Sequence, residues 1–314
     1  MLLSIQTKSL CKSYGQVYAV DNVDLTVKAG SIFGFLGPNG AGKSTMIKML
    51  TTLTSPSSGG LQVLGVDAIK NPLEIRKKIG VVLQQPSYEP SLSVEQSLDK
   101  YGMMWNVPKN IRKQRIPQLL EDFDLVDIKR KKMEDLSIGQ RRRIQAAREF
   151  MHDMELLFLD EPTVGLDPTA RRNLLDYLKN KVKTGLTIFY TTHILSEAEY
   201  LCDEIAIINK GKIITVNTPT ELKNKFGKEK TINIHLSTIE KNIPQLLSGI
   251  KDCKIDFDSG TNISILSHDS EKILLKILEI LNHNNMSIEN LSAVPTTLED
   301  IFLEVVRDSN ASNN

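Results

Sequence analysis

An α/β fold built on a mainly parallel sheet, followed by a small α+β domain, is what this sequence predicts, and three observations carry it. The first is the run Gly37-Pro38-Asn39-Gly40-Ala41-Gly42-Lys43-Ser44-Thr45, set between an apolar stretch at 31–36 and a helix-like stretch at 46–50. The second is a pair of further apolar runs, 156–159 and 186–190, which end in Asp160-Glu161 and in Thr191-Thr192-His193. Strands buried on both faces read as continuous apolar runs, and open α/β sheets bind ligands at the carboxyl edge of such strands. The third is a change of pattern after residue 225. Alternation at 231–236, short strand-like segments at 254–257 and 262–266, and a strongly apolar helix at 273–281 read as a separate module.

The first run fits G-x-x-x-x-G-K-[ST]. A glycine loop between strand and helix aims successive N–H groups and the positive end of a helix dipole at one small volume. Phosphate oxygens fill such a volume, Lys43 can reach β- and γ-phosphates, and the Ser44 hydroxyl can ligate Mg²⁺. A glycine-rich turn with an incidental lysine is the alternative, and the flanking strand and helix count against it. Asp160, at a strand end, can hold Mg²⁺ opposite the loop, and Glu161 can polarise an attacking water. His193 alone reads as a structural histidine. Its place at the same sheet edge puts it near a γ-phosphate.

Leu136-Ser137-Ile138-Gly139-Gln140-Arg141-Arg142 decides which kind of nucleotide machine this is. Ser137 and Gln140 fit a capping box that opens a helix. A capped helix N-terminus with a free hydroxyl and a glycine amide is also an anion site, able to take a γ-phosphate brought by another molecule. The segment resembles the LSGGQ signature of ATP-binding-cassette (ABC) ATPases, and the resemblance covers residues 1 to about 225.

The resemblance implies a P-loop NTPase ABC cassette with a mainly parallel core sheet, an antiparallel β subdomain and a helical subdomain at about 86–150. It implies ATP and Mg²⁺ as ligands. Gly37, Pro38, Asn39, Gly40, Ala41, Gly42, Lys43, Ser44 and Thr45 would cradle the phosphates. Tyr14 resembles the aromatic that stacks on adenine. Gln84 resembles the Q-loop glutamine that senses Mg²⁺ and the water; Gln85 is adjacent, and strand register favours Gln84. Gly165-Leu166-Asp167 resembles the D-loop, while Asp167-Pro168 reads independently as an N-cap with proline at N1. Catalysis would fall to Glu161, His193 and Gln84, and metal binding to Ser44, Gln84 and Asp160. Ser137, Gly139, Gln140 and Asp167 would meet nucleotide across a head-to-tail homodimer. Ile138 departs from the signature, which has glycine there.

Composition agrees with a cytoplasmic protein of about two domains. The chain has 314 residues, 25% of them charged, and a formal net charge of +1, which gives no electrostatic case for nucleic acid. Residues 226–314 carry a net −5 and residues 1–225 a net +6. Cys11, Cys202 and Cys253 fit neither a disulfide framework nor a metal site. No signal peptide opens the chain and no apolar run reaches 18 residues, so any transmembrane pathway is expected on another polypeptide. Basic clusters at Arg112-Lys113-Gln114-Arg115, Lys129-Arg130-Lys131-Lys132 and Arg141-Arg142-Arg143 read as solvated helix faces, or else as contacts with acidic lipid or a membrane partner.

Further along, alternation at 4–35 predicts short antiparallel strands, and Ser93-Val94-Glu95-Gln96 a capping box. A helix at 111–123 carries Ile116, Leu119, Leu120 and Phe123, and Asn209-Lys210-Gly211-Lys212 reads as a hairpin turn. Thr218, Pro219 and Glu221 open a helix that ends near Phe226-Gly227. An accessory domain is expected over 226–308, closed by a helix with Leu298, Ile301, Phe302 and Val305 on one face, and a disordered tail over 309–314. Pro295-Thr296-Thr297-Leu298-Glu299-Asp300-Ile301-Phe302 resembles the tail of daunorubicin-resistance-type ABC exporter ATPases. That implies the ATPase subunit of an ABC-2-type exporter. It would power export of a drug, lipid or other hydrophobic solute through a separate multispan transmembrane permease subunit, from the inner face of the membrane. An importer ATPase with a regulatory tail, or a soluble non-transport ABC ATPase, is the alternative. The second kind carries two cassettes or a long coiled coil, and neither is present.

Overall fold

The computed structural model describes residues 2–85, 87–226, 230–238, 242–250, 253–258, 261–267, 270–294 and 297–311. Gly227, Pro295, Thr296 and residues 312–314, which the sequence reading uses, lie outside the described residues. The chain divides between Val216 and Asn217 into two compact units.

In the first unit, β1 (Leu3–Tyr14) and β2 (Val17–Lys28) form an antiparallel hairpin. The sequence predicts short strands here, whereas each runs 12 residues. Ser9 and Asn22, at φ 44° and 52°, lie beside irregularities in the pairing that let long strands bend. Next come β3 (Ile32–Leu36), α1 (Lys43–Leu50), β4 (Ser58–Val63), β5 (Val66–Asp67), α2 (Pro72–Arg76) and β6 (Ile79–Val82). Three helices follow, α3 (Val94–Met104), α4 (Lys109–Asp122) and α5 (Ile138–Glu149). The unit closes with β7 (Leu156–Asp160), α6 (Pro168–Val182), β8 (Thr187–Thr191), α7 (Leu195–Leu201), β9 (Glu204–Asn209) and β10 (Lys212–Asn217).

One sheet runs β2-β1-β4-β5 and is antiparallel; the other runs β10-β9-β3-β8-β7-β6. From β9 to β6 the second sheet is parallel, so β3, β7 and β8 deliver their carboxyl ends to one edge. Phe189 lies 5.8, 5.4 and 5.7 Å from the rings of Phe33, Phe35 and Phe158. Met46, Ile47, Met49 and Leu50 of α1 share that core with Val20, Leu25 and Leu61 of the antiparallel sheet. The helix that follows the glycine loop is thereby locked between both sheets. Lys210 and Gly211, at φ 47° and 80°, make the two-residue turn between β9 and β10. This turn braces the glycine loop, because the Gly211 N–H donates to the Ala41 carbonyl and the Asp21 N–H to the Gly211 carbonyl, each at 2.9 Å.

The second unit contains α8 (Pro219–Phe226), β11 (Lys230–Leu236), α9 (Ile243–Leu247), β12 (Cys253–Asp258), β13 (Asn262–Ser267), α10 (Ser270–His283), β14 (Ile288–Val294) and α11 (Leu298–Ala311). From β11 to β14 this is a split βαβ arrangement, with antiparallel strand order β12-β13-β11-β14. Ile232, Ile234, Ile263 and Ile265 form one core with Ile243 and Leu247 of α9 and with Ile273, Ile277 and Leu281 of α10. Two expectations are corrected here. Helix α8 packs against α11, so it joins the second unit, and the boundary falls before it rather than at 225/226. Residues 309–311, expected to be disordered, continue α11. Among the described residues no helix is long and apolar enough to cross a membrane.

Candidate active site

The glycine loop turns on backbone that few residues adopt. Gly42 caps α1 at φ 110°, and a Cβ there would stand 2.2 Å from the Ala19 carbonyl oxygen. Lys43 follows at the first helical position, its Nζ donating to the carbonyls of Gly37 at 2.7 Å and Pro38 at 3.1 Å. Burial lowers its pKa, and the carboxylates of Glu161 and Asp160 oppose that shift.

Strands β7 and β8 bring the acids to this loop. The Ser44 hydroxyl donates to Asp160 Oδ2 at 3.3 Å, and the Thr191 hydroxyl to Oδ1 at 2.6 Å. Glu161 is 7% exposed and sits at φ 50°, a left-handed backbone rarely taken by a side-chain-bearing residue. Four groups fix it. Its N–H donates to the Thr191 carbonyl at 3.0 Å, and its carbonyl accepts from Arg142 Nη2 at 3.0 Å. Its Oε2 accepts from Gln84 Nε2 at 3.0 Å and lies 3.3 Å from His193 Nδ1. A cleft of about 410 Å³ opens over these groups, lined by Ala19, Asn39, Gly40, Gly42, Lys43, Ser44, Thr45, Gln84 and Glu161.

Of the two candidate glutamines, the side chain of Gln84 reaches Glu161, whereas Gln85 offers its carbonyl to Gln145. Tyr14 is 53% exposed and does not line the cleft. Ser137, Gly139, Gln140 and Asp167 also lie outside its lining. Ser137 Oγ accepts from the Gln140 N–H at 3.2 Å, and Gln140 Oε1 accepts from the Ser137 N–H at 3.0 Å, so the capping box is complete. Asp167 caps α6 by accepting from the Ala170 N–H at 2.9 Å. Glycine is required at 139, where a Cβ would meet the Gly165 carbonyl oxygen at 2.6 Å. Ile138 is 67% exposed, and a Cβ on Gly165 would meet its Cγ2 at 3.3 Å.

Two of the three basic clusters are not simply solvated faces, which corrects the expectation for them, whereas Arg130, Lys131 and Lys132 are exposed as expected. Arg112 pairs with Asp99 at 2.7 Å, and Arg115 donates to the Met151 carbonyl. Arg141 donates to Met133 and Glu134 carbonyls, and Arg143 to those of Phe123 and Asp124. Arg142 is only 2% exposed. Sequence reasoning gave Arg142, Thr191 and Glu197 no individual role in the site. The last accepts hydrogen bonds from Thr163, Tyr190 and Thr192, which flank Glu161 and His193 in the chain. A polar pair ending an apolar strand was the available signal for Thr191.

At the far end of α5, buried Glu149 accepts from the Tyr101 hydroxyl at 2.6 Å and the Val81 N–H at 3.1 Å. Burial raises its pKa to about 7, against the lowering effect of those bonds and of Arg148. A glutamate in an unfolded chain titrates near 4.3, so between these values the folded protein holds the extra proton. Stability from this group is complete below the unfolded value and is lost as pH rises through about 7. Glu149→Gln is expected to abolish that loss, on the order of 3 kcal/mol. Urea midpoints of both proteins at pH 5 and pH 8 measure it, and equal pH dependence in the two would refute it.

Comparisons with known proteins show the family and the fold. The family model described as ABC transporter matches residues 20–164. One described as the C-terminal domain of ATP-binding protein DrrA1-3-like matches residues 218–306. The chain is 33% identical to the linearmycin resistance ATP-binding protein LnrL of Bacillus subtilis, over 96% of this chain and 97% of that one. It is 34% identical to the daunorubicin/doxorubicin resistance ATP-binding protein DrrA of Streptomyces peucetius, over 96% and 91%. Among solved structures, an ATP binding subunit of an ABC transporter superposes with a TM-score of 0.66 at 28% identity, over 71% of this chain and 93% of that one. A dimeric ATP-binding cassette in a post-hydrolysis state, bound to ADP and Pi, gives 0.64 at 25%, over 68% and 98%.

Proposed function

The chain belongs to the ATP-binding, ATP-hydrolysing subunits of ABC transporters related to DrrA and LnrL, and on that premise we propose which residues run its cycle and what the cycle drives. The ATP phosphates lie in the cleft over the glycine loop, and the adenine reaches beyond the cleft lining to stack on the exposed Tyr14. Lys43 swings from the Gly37 and Pro38 carbonyls onto the β- and γ-phosphate oxygens. The loop amides and the N-terminus of α1 bind the remaining negative charge.

Ser44, Asp160 and Gln84 suit Mg²⁺. They offer a hydroxyl, one carboxylate and a carboxamide, all hard oxygen donors, and Ser44 and Asp160 are already within 3.3 Å of each other. Among the described residues no cluster of three or more His, Cys, Asp or Glu forms a metal cage, and Mg²⁺ on a nucleotide requires none. Bound there, Mg²⁺ would neutralise charge on the phosphates. Glu161 accepts a proton from the attacking water as its oxygen bonds to the γ-phosphorus and the bond to the β–γ bridging oxygen breaks. His193 donates to a γ-phosphate oxygen, and Gln84 keeps Glu161 aligned. A second copy supplies Ser137, the Gly139 amide and Gln140 to the other side of the γ-phosphate, so that a head-to-tail dimer holds two composite sites.

Full-length similarity to two drug-resistance ATP-binding proteins, reaching through the second unit, is the observation that supports an exporter. The cargo is a drug or another hydrophobic solute. It passes through a multispan permease docked beside Gln84, with this chain peripheral on the cytoplasmic face of the membrane. The test is co-purification from detergent-solubilised membranes. The full chain should bring down a multispan protein and hydrolyse ATP faster with it than alone. Truncation after Val216, where the units divide, should leave ATP binding intact and weaken that stimulation. Recovery with ribosomes instead of a membrane protein would overturn the exporter reading.

A further inference from the structure

We propose that Arg142 is a positioning residue that joins a protomer's catalytic Glu161 to the helix whose N-terminus meets the partner's ATP, so that the two composite sites communicate through it. The proposal rests on the dimeric reading above and extends it to a residue that touches no nucleotide.

The geometry is a closed ring. One nitrogen of the guanidinium, Nη2, donates to the Glu161 carbonyl at 3.0 Å, while Nη1 donates to the Leu83 carbonyl at 2.8 Å. Leu83 precedes Gln84, and Gln84 Nε2 closes the ring on Glu161 Oε2 at 3.0 Å. A single buried cation thus fixes the backbone of the water-polarising carboxylate and the backbone next to the glutamine that aims it. Glu161 needs such support, since φ 50° persists only where the surroundings over-determine it.

Arg142 lies five residues after Ser137 on the same helix, so a displacement of the capped N-terminus is carried to the ring by a rigid element. Contacts further along α5 reinforce the link. Gln145 Nε2 donates to the Leu83 carbonyl at 3.2 Å, and Arg148 Nη2 to the Ser87 carbonyl at 2.6 Å. Arg141 and Arg143 donate to other carbonyls, those of Met133, Glu134, Phe123 and Asp124. A planar fork spans two carbonyls in a fixed arrangement, which the single ammonium of lysine does not reproduce.

Steady-state hydrolysis by the full-length chain, with Arg142→Met and Arg142→Lys beside it, tests the proposal. The wild type should hydrolyse ATP with a Hill coefficient above 1. Arg142→Met should lower kcat by at least about 10-fold with KM within about 2-fold, and bring the Hill coefficient to 1. Arg142→Lys should recover part of kcat with the Hill coefficient still near 1. If the methionine variant fails to fold, the lysine variant carries the test. Unchanged kcat, a parallel collapse of kcat and affinity, or cooperativity retained in a slow Arg142→Lys would each overturn the proposal, as would a non-cooperative wild type. Failure of the dimeric reading is seen separately, as wild-type activity per molecule that does not depend on protein concentration.

Discussion

Glu161→Gln is expected to bind Mg·ATP normally, to hydrolyse it at least about 100-fold more slowly than wild type, and to accumulate as a dimer while ATP is present. Glutamine has the same length and strains the φ 50° backbone no more than glutamate does. The N–H to Thr191 and the carbonyl to Arg142 are main-chain bonds and survive. The amide oxygen still accepts from Gln84. What disappears is the group that takes the water's proton. Asp160 remains to hold Mg²⁺ and to offset the buried charge of Lys43, so nucleotide affinity stays. Size-exclusion runs with and without Mg·ATP, alongside a phosphate-release assay, read both effects. A variant that stays monomeric and hydrolyses at the wild-type rate would remove Glu161 from its role.

The parts of this site that are local patterns were legible in the sequence. The glycine loop, the acids ending an apolar strand and the capping box of Ser137 and Gln140 each declare themselves within a few residues, because backbone geometry alone demands those residue types. Arg142 did not. Three consecutive arginines point in different directions from a helix, and only the packing of α5 against β6 decides which one is buried. Gln145 and Arg148 share its face, but spacing on a helix does not reveal what lies opposite. The same reason moved the unit boundary. Thr218, Pro219 and Glu221 mark where α8 begins, yet its membership depends on α11, some eighty residues away in the chain. At the tail, the polar composition of 309–311 argued for disorder, while the helix begun under Leu298, Ile301 and Val305 continues to Ala311.

Lys43→Ala and Ser137→Arg are expected to stop hydrolysis at different steps. Lys43 supplies the buried cation of the cleft, and each charge-assisted bond to phosphate is worth about 1.5–3 kcal/mol. Lys43→Ala should therefore weaken Mg·ATP binding by at least about 30-fold in a monomeric preparation. Ser137 does not line the cleft of its own protomer, so Ser137→Arg should leave monomer affinity within about 2-fold while hydrolysis is lost. Loss of the helix cap alone costs about 1 kcal/mol and would confuse the result, so a variant that preserves the cap is needed. Ser137→Asp meets that need. Its carboxylate accepts from the Gln140 N–H as the serine hydroxyl does at 3.2 Å, but places negative charge where a partner's γ-phosphate arrives. It should melt no lower than wild type, bind ATP as a monomer, and neither dimerise nor hydrolyse. Equilibrium binding at protein concentrations below dimerisation, paired with hydrolysis rates above it, separates the steps. If Ser137→Asp lost ATP binding as a folded monomer, Ser137 would belong to its own protomer's site and the trans assignment would fall.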